Sequence, residues 1–311
     1  MQNNTKNQHF VPVCYLKNFC PDSDQHKKNP KVWTYDKLSQ STKLRGVKSI
    51  CHSNKLYSIN NRSESIITNN IEDKETIFES HYLHDFEQEY SVRLKNAIAS
   101  IKQEKFGGQN KLDISVFIAV QYLRDPILKT VFDSNEKIPF FSLSEEYMKL
   151  CNNSPELLND SAMRHFMYGY GNKNAITTLA QSLALSEWTI HYNRNDVFFT
   201  SDNPVCLAQD KQNSSDNEQL LNILFPLSKN ILLQIKKGIQ INNVYFINNT
   251  PQELIDNFNF VQAYFAKKYV ISASNSFKVI KDRLKNTLFS WDYNKLKIYG
   301  KTENANHKCG G

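Results

Sequence analysis

The chain has 311 residues, of which 40% are hydrophobic and 22% are charged, and this composition is typical of a folded globular protein. No apolar stretch approaches the ~20 residues that a membrane-spanning helix needs, so we expect no membrane partner. The N-terminal segment, Met1 to Thr5, has no apolar signal-peptide core, which indicates no secretion signal. The six cysteines are too scattered for a disulfide framework. Together these features predict a cytoplasmic protein.

The net charge of +7 is unevenly distributed along the chain. Residues 1–60 contain 10 Lys and Arg against 3 Asp and Glu, and residues 227–311 contain 13 against 5. The residues between these two basic ends carry an acidic excess. Such asymmetry permits a polyanionic partner such as nucleic acid, although charge runs of this kind are more often solvated surface.

The N-terminal region is predicted to be rich in β-strands. Residues 31–36 and 55–59 alternate between apolar and polar side chains, as strands do. Apolar residues recur every three positions over 10–19, which predicts a short helix with a proline in its first turn. His9 then lies immediately before this helix, near its positive end.

Two long helices are predicted over residues 73–105 and 112–125, and shorter ones over 145–151, 161–170 and 175–185. Glu87 falls on the apolar face of the first long helix. Arg124 falls within the apolar arc of the second, and Gln121 flanks that arc. Because an unpaired buried charge is costly, we expect Glu87 and Arg124 to form a salt bridge.

The C-terminal half is predicted to be a mainly antiparallel sheet. Residues 188–192 and 197–200 are predicted to pair as a hairpin, and further strands are predicted over 221–227, 230–236, 244–248, 269–272 and 294–299. A helix is predicted over 251–266. The β-rich start, central helical bundle and C-terminal sheet predict an α+β fold, as a single domain over 1–300 with a disordered tail over 301–311.

Asp202 follows the apolar strand predicted over 197–200 and precedes an Asn-Pro turn signal. It is therefore expected where a buried strand reaches the surface, a common place for a site residue. Two interpretations stay open. The carboxylate either faces His9 or Arg124 in a pocket, or accepts backbone N–H bonds within its own turn.

Several motifs occur in a fixed order along the chain: His9-Phe10-Val11-Pro12 with Tyr15-Leu16, then Gln121-x-x-Arg124-x-Pro126, then Thr200-Ser201-Asp202-Asn203-Pro204-Val205. In this order the chain resembles a bacterial family catalogued as domain of unknown function 4238, over roughly residues 8–273. That family brings no established activity. The resemblance therefore narrows the list of site residues without naming a reaction.

The candidate site is a buried polar pocket between helices and strands. Its expected catalytic residues are His9, Glu87, Arg124 and Asp202, and its expected substrate-binding residues are Gln121, Tyr15, Ser201 and Asn203. A carboxylate base, a histidine acid and an arginine on the phosphate are sufficient to cleave RNA without a metal. The leading hypothesis is a nucleic-acid-directed hydrolase, such as an RNA-cleaving toxin or a defence effector.

Alternatives to this hypothesis stay open. The same pocket suits a non-catalytic module that binds a nucleotide or another anionic ligand, and the Glu87–Arg124 pair suits a purely structural role in fixing helix register. A further alternative is a metal-dependent hydrolase with a divalent cofactor, Mg²⁺ or Mn²⁺, whose ligands would be Asp202, Glu87 and His9. Zinc is a weaker alternative, because the spacing of its candidate ligands is unlike known zinc motifs: Cys14, Cys20, His26, Cys51 and His52. The sequence leaves the oligomeric state open.

Overall fold

The computed structural model describes residues 7–54, 56–58, 63, 65, 79–133, 145–209, 221–237 and 243–285. Helices and sheets are both extensive there, with the helices concentrated in the middle, which confirms the predicted α+β class. The predicted strand over 294–299 and tail over 301–311 lie outside the described residues, and a single domain over 1–300 stays a prediction. No helix in the described ranges is both long and apolar enough to cross a membrane.

The N-terminal region contributes four strands. β1 (Asn7–His9) pairs antiparallel with β4 (His52–Asn54), and β2 (Lys31–Asp36) pairs antiparallel with β3 (Ser41–Gly46). Short helical segments connect them: α1 (Val13–Leu16), α2 (Asp22–Gln25) and 3-10 turns at Lys17–Phe19 and Val47–Ser49. The strand observed here is β4, which ends before the strand predicted over 55–59, and residues 55 and 59 of that prediction lie outside the described residues. Residues 56–57 form a turn, and the Tyr57 N–H donates to Gln8 Oε1 at 2.7 Å.

The middle of the chain is helical: α3 (Glu79–Lys102), α4 (Gly108–Leu123), α5 (Pro126–Asp133), α6 (Glu145–Asn153), α7 (Ser161–His165) and α8 (Lys173–Ala184). A π-helical turn, Phe166–Tyr170, follows α7. The two long predicted helices are confirmed with shifted ends, and residues 73–78 lie outside the described part. α4 packs against both α3 and α8, so Phe117 and Leu123 enter separate hydrophobic clusters, as its apolar sequence predicts.

The C-terminal half supplies a five-stranded sheet in the order β10-β5-β9-β8-β7. Its strands are β5 (Glu187–Tyr192), β7 (Cys206–Gln209), β8 (Leu221–Ser228), β9 (Ile231–Lys237) and β10 (Val244–Asn248). All neighbours are antiparallel except β10 and β5, which confirms a mainly antiparallel sheet. One face packs on α3 and α4 through Phe225 and Leu233.

The hairpin predicted between residues 188–192 and 197–200 is wrong. β5 pairs with β9 and β10, whereas β6 (Thr200–Ser201) enters a different sheet. Asn230 accounts for this, because its Nδ2 donates to the backbone oxygens of residues 194 and 195 at 3.1 and 2.9 Å. The chain after β5 is thus held by the turn between β8 and β9 and does not fold back on β5.

A four-stranded sheet joins the two basic ends of the sequence, in the order β3-β2-β11-β6 with β11 at Tyr269–Ser272. α9 (Gln252–Phe265) and α10 (Lys278–Lys285) cover the face that carries Tyr35 and Val270. The opposite face carries Val32 and Ile271 into the main core, together with residues of α3 and α4. This sheet therefore places the N-terminal segment against the end of α4.

Candidate functional site

A buried arginine lies where α3, α4 and the N-terminal segment meet. Arg124 follows the last residue of α4, and its side chain is 1% exposed. Both terminal nitrogens donate to Glu87 Oε1 of α3, Nη1 at 3.4 Å and Nη2 at 3.3 Å. Nη2 also donates to the backbone oxygen of His9. The predicted salt bridge is confirmed, and one guanidinium connects three segments of the chain.

Two further side chains hold the end of α4. The Tyr57 hydroxyl donates to the backbone oxygen of Arg124 at 3.0 Å, and His165 Nε2 donates to that of Leu123 at 2.9 Å. The last carbonyls of a helix have no partner within the helix, so these bonds satisfy them and fix the direction in which Arg124 projects. Neither Tyr57 nor His165 belongs to the sequence-predicted site, because no local pattern identifies a helix end as its partner.

The electrostatics of Arg124 and Glu87 differ because their burial differs. Burial acts to lower the pKa of Arg124, but the Tyr57 oxygen and the Glu87 carboxylate outweigh it, and the pKa lies above its ordinary value. Glu87 is 26% exposed, and both arginine bonds end on Oε1 and leave Oε2 unengaged by the guanidinium. The pair is therefore an ionised contact with one partner inside the protein and the other at its surface.

His9 lies on the other side of Arg124, half-buried between residues 48 and 52. Its Nε2 is 3.2 Å from the backbone oxygen of Lys48. A carbonyl oxygen only accepts, so Nε2 carries the proton, and in the neutral ring Nδ1 carries the lone pair. Burial lowers the pKa of His9 to about 4, with further lowering by His52, whose ring centroid is 5.4 Å away, and by Arg124 and Lys48.

This pKa changes the role expected of His9. A histidine with a pKa of about 4 is neutral at pH 7, so the protonated form that a general acid requires is scarce there. The lowered pKa therefore disfavours the histidine acid that the sequence suggests and leaves the neutral ring as a weak base. Its lone pair on Nδ1 is the atom that would accept the proton.

Gln121 lies one turn before Arg124 and is buried with it. Its Nε2 donates to the backbone oxygen of Phe10 at 2.9 Å, which ties α4 to the segment that carries His9. Gln121 Oε1 and Arg124 Nε are both buried, and within the described part of the chain neither has a hydrogen-bond partner. A buried polar atom without a partner is costly, so these two atoms are the unsatisfied groups of the cluster.

Asp202 does not contact His9 or Arg124. Its Oδ1 accepts from the backbone N–H of Lys267 at 2.8 Å, and its Oδ2 accepts from those of Lys268 at 2.7 Å and Tyr269 at 3.0 Å. Burial raises the pKa of the Asp202 carboxyl group above its ordinary value. The N–H bonds and the positive charge of Lys267 act in the other direction and lower the pKa, but by less. The side chain thus binds the start of β11, an arrangement that differs from both interpretations offered by the sequence.

An indirect link connects Asp202 to the arginine cluster. The ammonium group of Lys267 forms a salt bridge with Asp125, the residue after Arg124. Asp125 Oδ1 also accepts from the backbone N–H of Ile127 at 2.8 Å, at the start of α5. The Thr-Ser-Asp-Asn-Pro and Gln-x-x-Arg-x-Pro motifs are therefore neighbours, with Lys267 between them.

The remaining predicted binding residues form internal bonds. The single hydroxyl proton of Ser201 has two acceptors within reach of Oγ, Asn203 O at 2.8 Å and Gln262 Oε1 at 3.1 Å, and Asn203 Nδ2 donates to the backbone oxygen of Phe265 at 3.3 Å. The Tyr15 hydroxyl donates to Pro226 O at 2.6 Å and lies 2.7 Å from the Thr200 hydroxyl. These three side chains are therefore bonded to the chain itself, away from His9 and Glu87.

The described residues contain no cluster of side chains that could hold either of the metals considered from the sequence. No three His, Cys, Asp or Glu side chains there lie close enough together to hold an ion. In particular, Asp202 is bound to backbone N–H groups, and it does not join Glu87 and His9. The described cysteines are free thiols, and burial raises the pKa of both Cys14 and Cys20 to about 12.

Comparison with known families finds a match over residues 7–276 to the family described as Protein of unknown function (DUF4238). The match covers most of the chain and includes all eight predicted site residues. No curated protein matches the chain, and no solved structure matches it.

Proposed function

We propose that this chain, which belongs to the DUF4238 family of proteins of unknown function, is a hydrolase that acts on nucleic acid. In this proposal His9 is the proton acceptor. Glu87 is the carboxylate that binds the same arginine, Arg124, as the backbone oxygen of His9. The supporting observation is the guanidinium of Arg124, which binds Glu87 Oε1 and the backbone oxygen of His9 together. Two partly exposed ionisable side chains are thereby fixed beside one buried charge.

The proposed step is an attack by a water or ribose oxygen on a phosphodiester. His9 Nδ1 takes the proton of this oxygen while the new P–O bond forms, the bond to the leaving oxygen breaks, and that oxygen takes a proton from solvent. Glu87 pairs with Arg124, one of the cations that oppose the imidazolium that results, and so lessens that opposition. Arg124 does not bind the phosphate in this proposal, because it is 1% exposed and both terminal nitrogens are engaged. It positions the other two residues.

A non-catalytic module that binds a nucleotide or another anionic ligand is the second candidate. It is favoured by the internal bonding of Gln121, Ser201 and Asp202, whose side chains bind groups of the chain itself. Only a small part of the predicted site then remains for chemistry. This candidate uses the same surface without a proton-transfer step.

The test is incubation of the purified protein with labelled single-stranded RNA and DNA, with and without a chelator. We expect cleavage that persists in chelator and falls only as the pH approaches the His9 pKa of about 4. His9→Gln and Glu87→Gln should each lower the rate by about a hundredfold or more. Arg93→Gln is the matched control, because Arg93 lies on the same helix as Glu87 and pairs with Glu89 and Asp113 instead of with the candidate site residues.

Full activity of His9→Gln would overturn the hydrolase proposal. Binding without any cleavage supports the second candidate instead. If the protein neither binds nor cleaves nucleic acid, the hydrolase proposal is wrong. The binding proposal then applies only to anionic ligands other than nucleic acid.

A further inference from the structure

We infer that a strip of cations at the edge of the four-stranded sheet binds a single strand of nucleic acid and leads it to His9. The strip consists of Lys43, Arg45, Lys48 and Lys268. The identity of the polyanion rests on the proposed function, whereas the strip itself rests on the positions and charges of these four side chains.

Two of the cations project from the same side of the edge strand β3. Lys43 lies opposite Thr34 of β2, and Arg45 lies opposite Val32, so both side chains are on the face that carries Val32. Residues two apart in a strand are separated by about 7 Å. This distance is comparable to the separation of successive phosphates in an extended single strand, so β3 presents its charges in register with such a strand.

The ring of Tyr269 in β11 lies beside the charged groups of both Arg45 and Lys268. The Arg45 Cζ atom lies 5.4 Å from the centroid of its ring, and the Lys268 Nζ atom lies 4.9 Å from it. Cation–π attraction stabilises both positive groups beside the ring and needs no carboxylate. Arg45 Nε is also buried and, among the described residues, has no hydrogen-bond partner.

The charge of the strip is only weakly offset within the described residues: the pKa of Lys268 is raised chiefly by its hydrogen bond to Tyr269 and to a smaller extent by the Asp36 carboxylate. None of its four cations forms a salt bridge there, and Lys43, Lys48 and Lys268 are exposed. The nearby carboxylates are buried and bonded inward: Asp36 to the backbone N–H groups of Leu38 and Ser39, Asp202 to those of residues 267–269, and Asp125 to Lys267. The surface therefore presents one sign of charge, which is complementary to phosphates.

The strip ends at the candidate site. Lys48 follows Arg45 by three residues, and its backbone oxygen accepts the bond from His9 Nε2. On the opposite side, Lys268 follows Lys267, whose ammonium group pairs with Asp125 beside Arg124. A strand bound along the cations therefore arrives next to the His9 ring.

The experiment measures binding of a fluorescent 12-nucleotide single strand by anisotropy, in the Glu87→Gln background so that cleavage does not interfere. The triple variant Lys43→Gln, Lys48→Gln, Lys268→Gln should bind at least tenfold more weakly at 0.1 M salt. The slope of log affinity against log salt should also fall by about 2, because each phosphate contact to a single strand contributes about 0.7.

The matched control removes the same number of charges from exposed positions on α3, α6 and α8: Lys95→Gln, Lys149→Gln and Lys173→Gln. It should change the affinity by less than about twofold, because these lysines lie away from the sheet. Tyr269→Leu, which deletes the ring beside Arg45 and Lys268, should weaken binding several-fold. A circular dichroism melt confirms that each variant is folded.

Equal losses in the triple variant and the control would show a net-charge effect and overturn the strip. So would tighter binding of a duplex of the same sequence than of the single strand. Binding that depends on the strip without cleavage in the unmutated protein supports the strip while the hydrolase fails. Cleavage that the triple variant leaves unchanged supports the hydrolase and overturns the strip.

Discussion

The surroundings of Arg124 and Asp202 show two ways in which a protein accommodates a buried charge. Arg124 is neutralised by another ionisable side chain, Glu87, which remains 26% exposed. Asp202 is held by three backbone N–H groups of residues 267–269 and forms none of the salt bridges found among the described residues. A side-chain partner keeps a second titratable group near the surface, whereas a backbone partner consumes the charge in fixing the fold. The type of partner, more than burial itself, separates a candidate site from a structural bond.

The largest expected loss of stability comes from removing Arg124, the buried charge that is neutralised by a side chain. Arg124→Gln leaves Glu87 unpaired and removes the bond to the backbone oxygen of His9, so we expect a loss of about 3 kcal/mol in the free energy of unfolding. Urea denaturation measures it. Arg93→Gln breaks an exposed pair with Glu89 and a pair with Asp113, which is 12% exposed but keeps its bond from Gln109 Nε2, so the loss should be smaller, about 1–2 kcal/mol. Equal losses in the two variants would remove the distinction between a buried and a surface arginine.

The next effect tests the backbone-bound charge. Asp202→Asn can retain the two N–H bonds that end on Oδ2 but must place an NH₂ group against the N–H of Lys267, so we expect a loss of about 2 kcal/mol. Asp36→Asn is the matched control, since both of its N–H bonds end on Oδ1 and an amide oxygen can keep them. It should lose less than about 1 kcal/mol.

Activity sharpens the same comparison. Because Asp202 fixes the start of β11, the folded Asp202→Asn protein should retain most of the cleavage or binding activity. A hundredfold loss of activity in a variant that remains folded would return Asp202 to the catalytic residues that the sequence predicts.

The sequence predicts the arginine cluster because its information is local. Helical periodicity places Glu87 and Arg124 on the apolar sides of two adjacent helices, and an unpaired charge there requires a partner. Two charges of opposite sign in neighbouring helices leave few alternatives. The salt bridge follows from the pattern, and only its partial exposure and the third contact, to His9 O, need coordinates.

The partners of Asp202 and of β5 cannot be predicted in the same way, because they lie far along the chain. The N–H groups that bind Asp202 belong to residues 267–269, and no feature of the Thr-Ser-Asp-Asn-Pro segment identifies them. Strand alternation likewise indicates that residues 188–192 form a strand without indicating β9 and β10 as its neighbours. Local pattern determines which segments are strands, and long-range packing determines their pairing.

The smallest expected effect concerns pH and the His9 side of the cluster. The pKa of His9 is lowered from 6.5 to about 4, so between these two values the unfolded chain binds a proton that the folded chain does not. The contribution of His9 to stability is therefore fully retained above pH 6.5 and is lost as the pH falls toward 4. After allowance for the partial exposure of the ring, we expect this loss to be about 1–2 kcal/mol.

The measurement is the free energy of unfolding of the unmutated protein and of His9→Gln at several pH values between 7 and 4. Glutamine does not titrate, so the difference between the two proteins should shrink steadily over this interval. The pKa of His191 is also lowered, chiefly by burial, so His191 makes stability depend on pH in the same direction. Because His191 is present in both proteins, its contribution cancels in the comparison. A difference that stays constant from pH 7 to pH 4 would show that His9 is not held neutral by its surroundings. The positive groups around it, Arg124 and Lys48, would then not oppose its protonation, and the cleavage rate of the proposed hydrolase should fall below about pH 6.5 instead of near pH 4.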